Sequence, residues 1–141
     1  MSDDKRILDA LFQAALSVAL PDGRFAGRLP PPPKGRTIVL GAGKASARMA
    51  QAFEHAWSEA CTRPCEGLVV TRYGHGAPTR RIEVVEASHP VPDKAGRDAA
   101  RRILELARSA GPDDLVVALV SGGASALLTL PAPGVTLEDK Q

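Results

Sequence analysis

Thr37-Ile38-Val39-Leu40-Gly41-Ala42-Gly43-Lys44-Ala45-Ser46 is the stretch that decides the fold. Residues 37–40 favour extended backbone and show no polar alternation, so they read as a strand buried on both faces. The glycines behind them make a tight turn. Ala45, Met49, Ala52, Phe53, Ala56, Trp57 and Ala60 then recur at helical spacing, which predicts a helix over about residues 46–61. Met49, Phe53 and Trp57 stand four residues apart, and a stripe of that kind reads as core rather than as a cofactor box.

Working outward, the same grammar repeats. Residues 67–71 read as a second strand, 72–81 as a polar glycine-bearing loop, and 82–87 as a third, partly alternating strand. Asp93 is placed to cap a helix whose stripe is Ala99, Ile103, Leu106, Ala107 and Ala110, with Gly111-Pro112 stopping it. Leu115–Val120 reads as a fourth strand buried on both faces. Upstream, Ile7, Leu8, Leu11, Phe12, Ala15, Val18 and Ala19 give a helical stripe over residues 4–20, ended by Pro21-Asp22-Gly23. The four prolines at 30–33 can join neither a helix nor a central strand and form a stiff surface connector. The order α-β-α-β-β-α-β predicts an α/β fold: a Rossmann-like, mostly parallel sheet with helices on both faces. No helix separates the second and third strands, so an antiparallel pair and an irregular crossover both stay open.

Composition bounds the function. The chain has 141 residues, 44% apolar and 24% charged, which excludes wholesale disorder. Its longest apolar run is six residues, far short of the roughly 20 a membrane span requires. A net charge of +2 is small for a nucleic-acid binder. Cys61 and Cys65 lack metal or redox spacing and read as free thiols. The charged start, with no apolar run behind it, does not read as a secretory signal, so the expected location is the cytoplasm. Near the other end, Thr136 suits an N-cap and Glu138-Asp139 a first turn, with no apolar stripe to follow. That pattern reads as the front of something longer.

Ligands of open α/β sheets bind beyond the carboxyl ends of the strands. Two such ends are glycine-rich. At Gly41, Gly43, Lys44 and Ser46, a strand, a turn and a helix start offer backbone N–H groups and a lysine to a phosphate or carboxylate. It is neither a Walker A loop nor a dinucleotide fingerprint, because Ser46 stands where the third glycine belongs. A plain turn with a surface lysine remains the alternative. At Ser121, Gly122, Gly123 and Ser125, amides and hydroxyls again suit phosphate oxygens. A nucleophile elbow fits only in part, since Leu127 replaces its closing glycine, and a simple helix cap is the bland reading. His89, held by Pro90, and His75, beside Arg72, follow predicted strand ends and are candidates for substrate contact or general base work. His55 falls inside a helix and reads as a surface residue.

Together the segments 41–46, 67–76 (Gly-Leu-Val-Val-Thr-Arg-Tyr-Gly-His-Gly), 87–93 (Ala-Ser-His-Pro-Val-Pro-Asp) and 121–128 (Ser-Gly-Gly-Ala-Ser-Ala-Leu-Leu) resemble the N-terminal domain of class II glycerate 2-kinases. These enzymes carry a MOFRL C-terminal domain and are often labelled hydroxypyruvate reductase, after their place in tartrate and glyoxylate metabolism. The resemblance runs from about residue 5 to residue 141. It implies a phosphotransferase that moves the γ-phosphoryl of ATP to the 2-hydroxyl of D-glycerate, giving 2-phosphoglycerate, with Mg2+ or another divalent cation. It implies Lys44 as the catalytic lysine. It also implies a chain about three times as long, with residues 1–141 the first part of the large domain and the active site in a cleft shared with the smaller one. On that reading the family's aspartate and arginine lie beyond residue 141, and these residues alone are inactive. ATP and D-glycerate are the expected partners; nucleic acid and membrane are not, and a homo-oligomer is compatible. An NAD(P)H-dependent hydroxypyruvate reductase and a non-catalytic anion-binding module are the alternatives. The missing dinucleotide fingerprint ranks the reductase below the kinase.

Overall fold

The computed structural model describes residues 3–141. Four strands form one sheet in the order β3-β2-β1-β4: β1 (Thr37–Ala42), β2 (Cys65–Arg72), β3 (Ile82–Ala87) and β4 (Leu115–Val120). All neighbouring pairs are parallel. The question left open by the sequence is thereby answered: β2 and β3 run parallel through a connection without a helix. Glu54 holds the far end of that connection, its carboxylate accepting the backbone N–H groups of Arg80, Arg81 and Ile82.

Period-two alternation splits the strands between two cores. Ile38, Leu40, Leu68 and Val70 pack with Ala99 and Ile103 of α3 (Lys94–Arg108). Val39, Val69, Ile82 and Leu119 pack on the other face with Ala50, Phe53 and Trp57 of α2 (Ser46–Ala60). Trp57 is fully buried and its indole N–H donates to the Arg63 carbonyl at 2.9 Å, so the large ring carries no unpaired donor inside. Phe25, from the segment before β1, meets Phe53 edge-on at 5.5 Å. Asp93 caps α3 as expected, its side chain accepting from the Gly96 N–H at 2.9 Å.

One expectation about burial, that for β4, is corrected, and the first helix leaves an apolar face open. The first helix, α1 (Asp3–Ala19), has its apolar stripe, but no residue of it is buried, and Ile7 and Phe12 are 58% and 62% exposed. Periodicity shows that a helix has an apolar face; it does not show what covers that face. Likewise β4 is buried on one face only. Leu119 is enclosed, while Val116 and Val120 are exposed, because among the described residues α2 covers one side of this edge strand and no helix covers the other. No described helix is long and apolar enough to cross a membrane.

β1 and β4 are latched at their starts by Asp114. Its carboxylate accepts the Arg36 N–H at 2.6 Å and the Gly111 N–H at 3.0 Å, and pairs with the Arg36 guanidinium at 2.9 Å. These amides and the guanidinium lower its pKa to about 2. At the C-terminal end of the chain, Thr136 and Asp139 cap each other reciprocally over a short 3-10 turn (Glu138–Lys140), the capped start that the sequence suggested. Leu137 is buried, and the Gln141 side chain donates to the Pro92 carbonyl.

Candidate active site at the ends of the first and fourth strands

The chain passes from β1 to β2 and β3 on one side, and β4 returns to the other side of β1. Strand order therefore reverses between β1 and β4, and the crevice beyond their carboxyl ends is where open α/β sheets bind ligands. Both glycine turns open there.

They are joined to each other. Gly41 is not in the turn: it lies inside β1, and a methyl group on it would stand 2.4 Å from the Leu119 carbonyl oxygen. Gly43, at φ +132, passes so close to the β4 exit that a methyl group would stand 2.3 Å from Ser121 Oγ. Lys44 N–H donates to the Gly122 carbonyl at 2.9 Å, and Ala45 N–H to Ser121 Oγ at 3.0 Å. Gly43 and Ser46 N–H groups bond to the Val70 and Gly43 carbonyls. The Ser46 hydroxyl, buried, donates to the Val70 carbonyl at 2.6 Å. The expectation of free amides at residues 43–46 is therefore corrected: these donors are engaged within the protein. Gly43, Ser46 and Ser121 hold the crevice in shape.

The second turn differs. Among the described residues, the N–H groups of Gly122, Gly123, Ala124 and Ser125 find no protein acceptor. The helix they start, α4 (Ala124–Leu127), is a single turn closed by Thr129 Oγ1 on the Ser125 and Ala126 carbonyls. Gly123 has φ +88, and a methyl group there would stand 2.8 Å from His89 Nε2 and 3.1 Å from Lys44 Cε. The imidazole from the β3 exit and the lysine from the β1 exit thus meet over Gly123. The Lys44 side chain is exposed and makes no ion pair among the described residues. An ammonium without an ion-pair partner beside unengaged amides is suited to an anion whose charge is moving.

Arg72 and His75 are exposed at the end of β2, where the His75 N–H donates to the Arg72 carbonyl at 3.1 Å. His55 is the surface residue expected, 3.5 Å from Glu59. Cys61 and Cys65 are free thiols; burial, then the nearby Glu54 charge, pushes Cys65 up to about 11. Among the described residues, no three His, Cys, Asp or Glu side chains gather as a metal site would require. A concavity of about 1020 Å3 lies beside α2 at the other end of the sheet; His55, Cys61 and Cys65 line it, and Lys44, His89 and residues 121–125 do not. Its Arg48 is already held by Asp22 at 2.8 Å, and its Glu54 by the three amides before β3.

Sequence reasoning missed Tyr73 and the second duty of Asp93. The Tyr73 hydroxyl donates to Asp93 Oδ2 at 2.8 Å. Partial burial works against ionisation of Asp93, but the Gly96 amide, the Tyr73 hydroxyl and the Ser88 amide outweigh it and lower its pKa. The same hydrogen bond raises the pKa of Tyr73. No local signal ties a tyrosine to a cap twenty residues on.

Comparison with known proteins bears on the family and the fold. A family model described as a domain of unknown function, DUF4147, matches residues 7–141. The chain is 37% identical over 138 residues to a D-glycerate 2-kinase of Thermotoga maritima, covering 97% of this chain and 32% of that protein. The chain belongs to the DUF4147 family, the N-terminal domain of MOFRL-type glycerate kinases. It is also 49% identical over 137 residues to an Agrobacterium vitis protein provisionally named hydroxypyruvate reductase, covering 97% of this chain and 31% of that one. A crystal structure of glycerate kinase from Thermotoga maritima superposes with a TM-score of 0.80 at 36% identity, over 96% of this chain and 32% of that one. The Rossmann-like α/β fold is thus shared, and the chain spans about a third of the length of the relatives it matches.

Proposed function

We propose that the protein is a glycerate 2-kinase that transfers the γ-phosphoryl group of ATP to the 2-hydroxyl of D-glycerate, with Lys44 as its catalytic lysine within this chain. The observation that carries the reading is the meeting of Lys44 and His89 over Gly123, beside four amides without protein acceptors, at the point where strand order reverses. Phosphoryl transfer asks for little covalent work from a protein; it asks for positioning and for positive charge on oxygens that gain charge. Lys44 supplies a full charge. The amides of residues 122–125 supply fixed dipoles. His89 offers a second contact to phosphate or to the glycerate carboxylate. The divalent cation that the family resemblance implies finds no ligand set among the described residues, and the roles assigned to Lys44, His89 and the amides do not run through it.

Hydride transfer is the weaker reading. A dinucleotide pyrophosphate would need the amides of the first glycine turn, and those are engaged. A coupled assay separates the two activities. From the full-length protein, ADP release with D-glycerate is expected, and NADH consumption with hydroxypyruvate is not; the reverse pattern would overturn the kinase in favour of a reductase. Within the kinase, Lys44→Ala should lower kcat by about 10²–10³ with little change in KM, as for loss of one well-placed transition-state charge. Lys44→Arg should restore only part, because a planar guanidinium does not take the place of a compact ammonium. Near wild-type kinetics for Lys44→Ala would reduce this residue to a surface lysine after a turn.

A further inference from the structure

We propose that Tyr73 is a positioning residue: through Asp93 it sets where the His89 imidazole stands beside Lys44 and Gly123. The Asp93 carboxylate joins two segments. Oδ1 accepts the Gly96 N–H at 2.9 Å, at the start of α3, and Oδ2 accepts the Tyr73 hydroxyl at 2.8 Å, from the exit of β2. Residues 88–93, His89 among them, lie between two points that Tyr73 holds, the Ala87 carbonyl through its N–H and Asp93 through its hydroxyl. Pro90 and Pro92 stiffen that loop by fixing φ, and the Gln141 side chain holds the Pro92 carbonyl at 2.6 Å. Tyr73 is itself anchored, its N–H donating to the Ala87 carbonyl at 3.1 Å.

The tyrosine ring is 54% exposed, so filling space is not its main contribution. What its hydroxyl does is tie the β2 exit to the β3–α3 loop. That tie matters because the ladder fixes the two exits only as far as Arg72 and Ala87; beyond it the loop that carries His89 leaves the sheet, and the Tyr73 hydroxyl ties that loop back to the β2 exit. An imidazole fixed before the ligand arrives loses less freedom on binding and meets the reacting group in one geometry.

The link to catalysis rests on the kinase reading, so the test has an arm that does not. Imidazole nitrogen NMR of the wild-type protein and of Tyr73→Phe, with His89 assigned through His89→Gln, reads the ring directly. The expected result is that the His89 signals shift or broaden, while those of His55, exposed on α2, stay in place. Kinetics on the same variant should show kcat lowered by several-fold to about 10²-fold at nearly constant KM for glycerate, the size expected for a misplaced contact. A structural role alone would move the unfolding midpoint and leave the His89 signals as they are. Superimposable His89 signals overturn the proposal, and so do shifted signals with wild-type kinetics. If the full-length wild-type protein releases no ADP with glycerate, the kinase reading fails, and the NMR comparison still decides whether Tyr73 positions His89.

Discussion

At the end of β1, the turn of residues 43–46 spends its amides on the protein. At the end of β4, the turn of residues 121–125 leaves four of its amides open. The two turns share a grammar of strand, glycines, small residues and helix start, and in sequence both read as anion seats. The difference lies in what each glycine is for. Gly43 lets two backbones approach until Ser121 Oγ and the Gly122 carbonyl accept the neighbouring N–H groups. Gly122 has nothing within 4 Å of the place where a methyl group would sit. A glycine-rich turn is therefore a route to close approach, and only its surroundings decide whether the thing approached is a ligand or another strand.

The strongest way to break this comparison is Gly43→Ala. A methyl group would collide with Ser121 at 2.3 Å on a backbone with φ +132, where L side chains are strained in any case. The expected loss of stability is about 3 kcal/mol or more by chemical denaturation, since clash and backbone strain add. A variant as stable as the wild type would mean that the two turns are not stapled as described.

The same two strands are latched at their other ends, and there the stabilisation is lost in acid. Asp114 has a folded pKa of about 2, below the roughly 3.9 of an unfolded aspartate. The unfolded chain therefore takes the proton first. The stabilisation is fully present above about pH 4 and is lost as pH falls through about 2. Asp114→Asn should flatten the fall of stability over that window, measured by urea unfolding at a series of pH values. Identical pH profiles for variant and wild type would remove the latch.

The smallest effect sharpens the contrast from the other side. Gly122→Ala should be neutral, or stabilising by up to about 1 kcal/mol, as at sites whose backbone alanine can adopt. It should nonetheless weaken binding of ADP or phosphate, because the methyl group stands among the open amides. Destabilisation as large as that of Gly43→Ala would show that both turns serve packing alone.

Much of the fold was legible because its signals are local. The run of residues 37–40, the stripe through Phe53 and Trp57, and the Asp93 cap each follow from side-chain type and spacing, and each stands where expected. The strand ends were less so: β1 extends through Gly41 and Ala42, because a glycine beneath a neighbouring carbonyl is a packing device that looks the same in sequence as a turn. The stripe of α1 and the outer face of β4 were legible as apolar and not as exposed. For the site, Lys44, His89 and the second glycine turn were visible as candidates, whereas the Tyr73–Asp93 tie was not.

The sequence by itself determined the alternation of strands and helices, the position of both glycine turns, and the lysine that follows the first. Those depend on backbone preference and on hydrophobic period, which a dozen residues are enough to express. Only the tertiary structure decided which amides are free, which apolar faces are covered, that β3 runs parallel to β2, and that Lys44 and His89 meet over Gly123. The physical reason is distance along the chain. The acceptor of the Ala45 N–H is a serine 76 residues away, and no local pattern can say which distant group will arrive to accept a proton or cover a face.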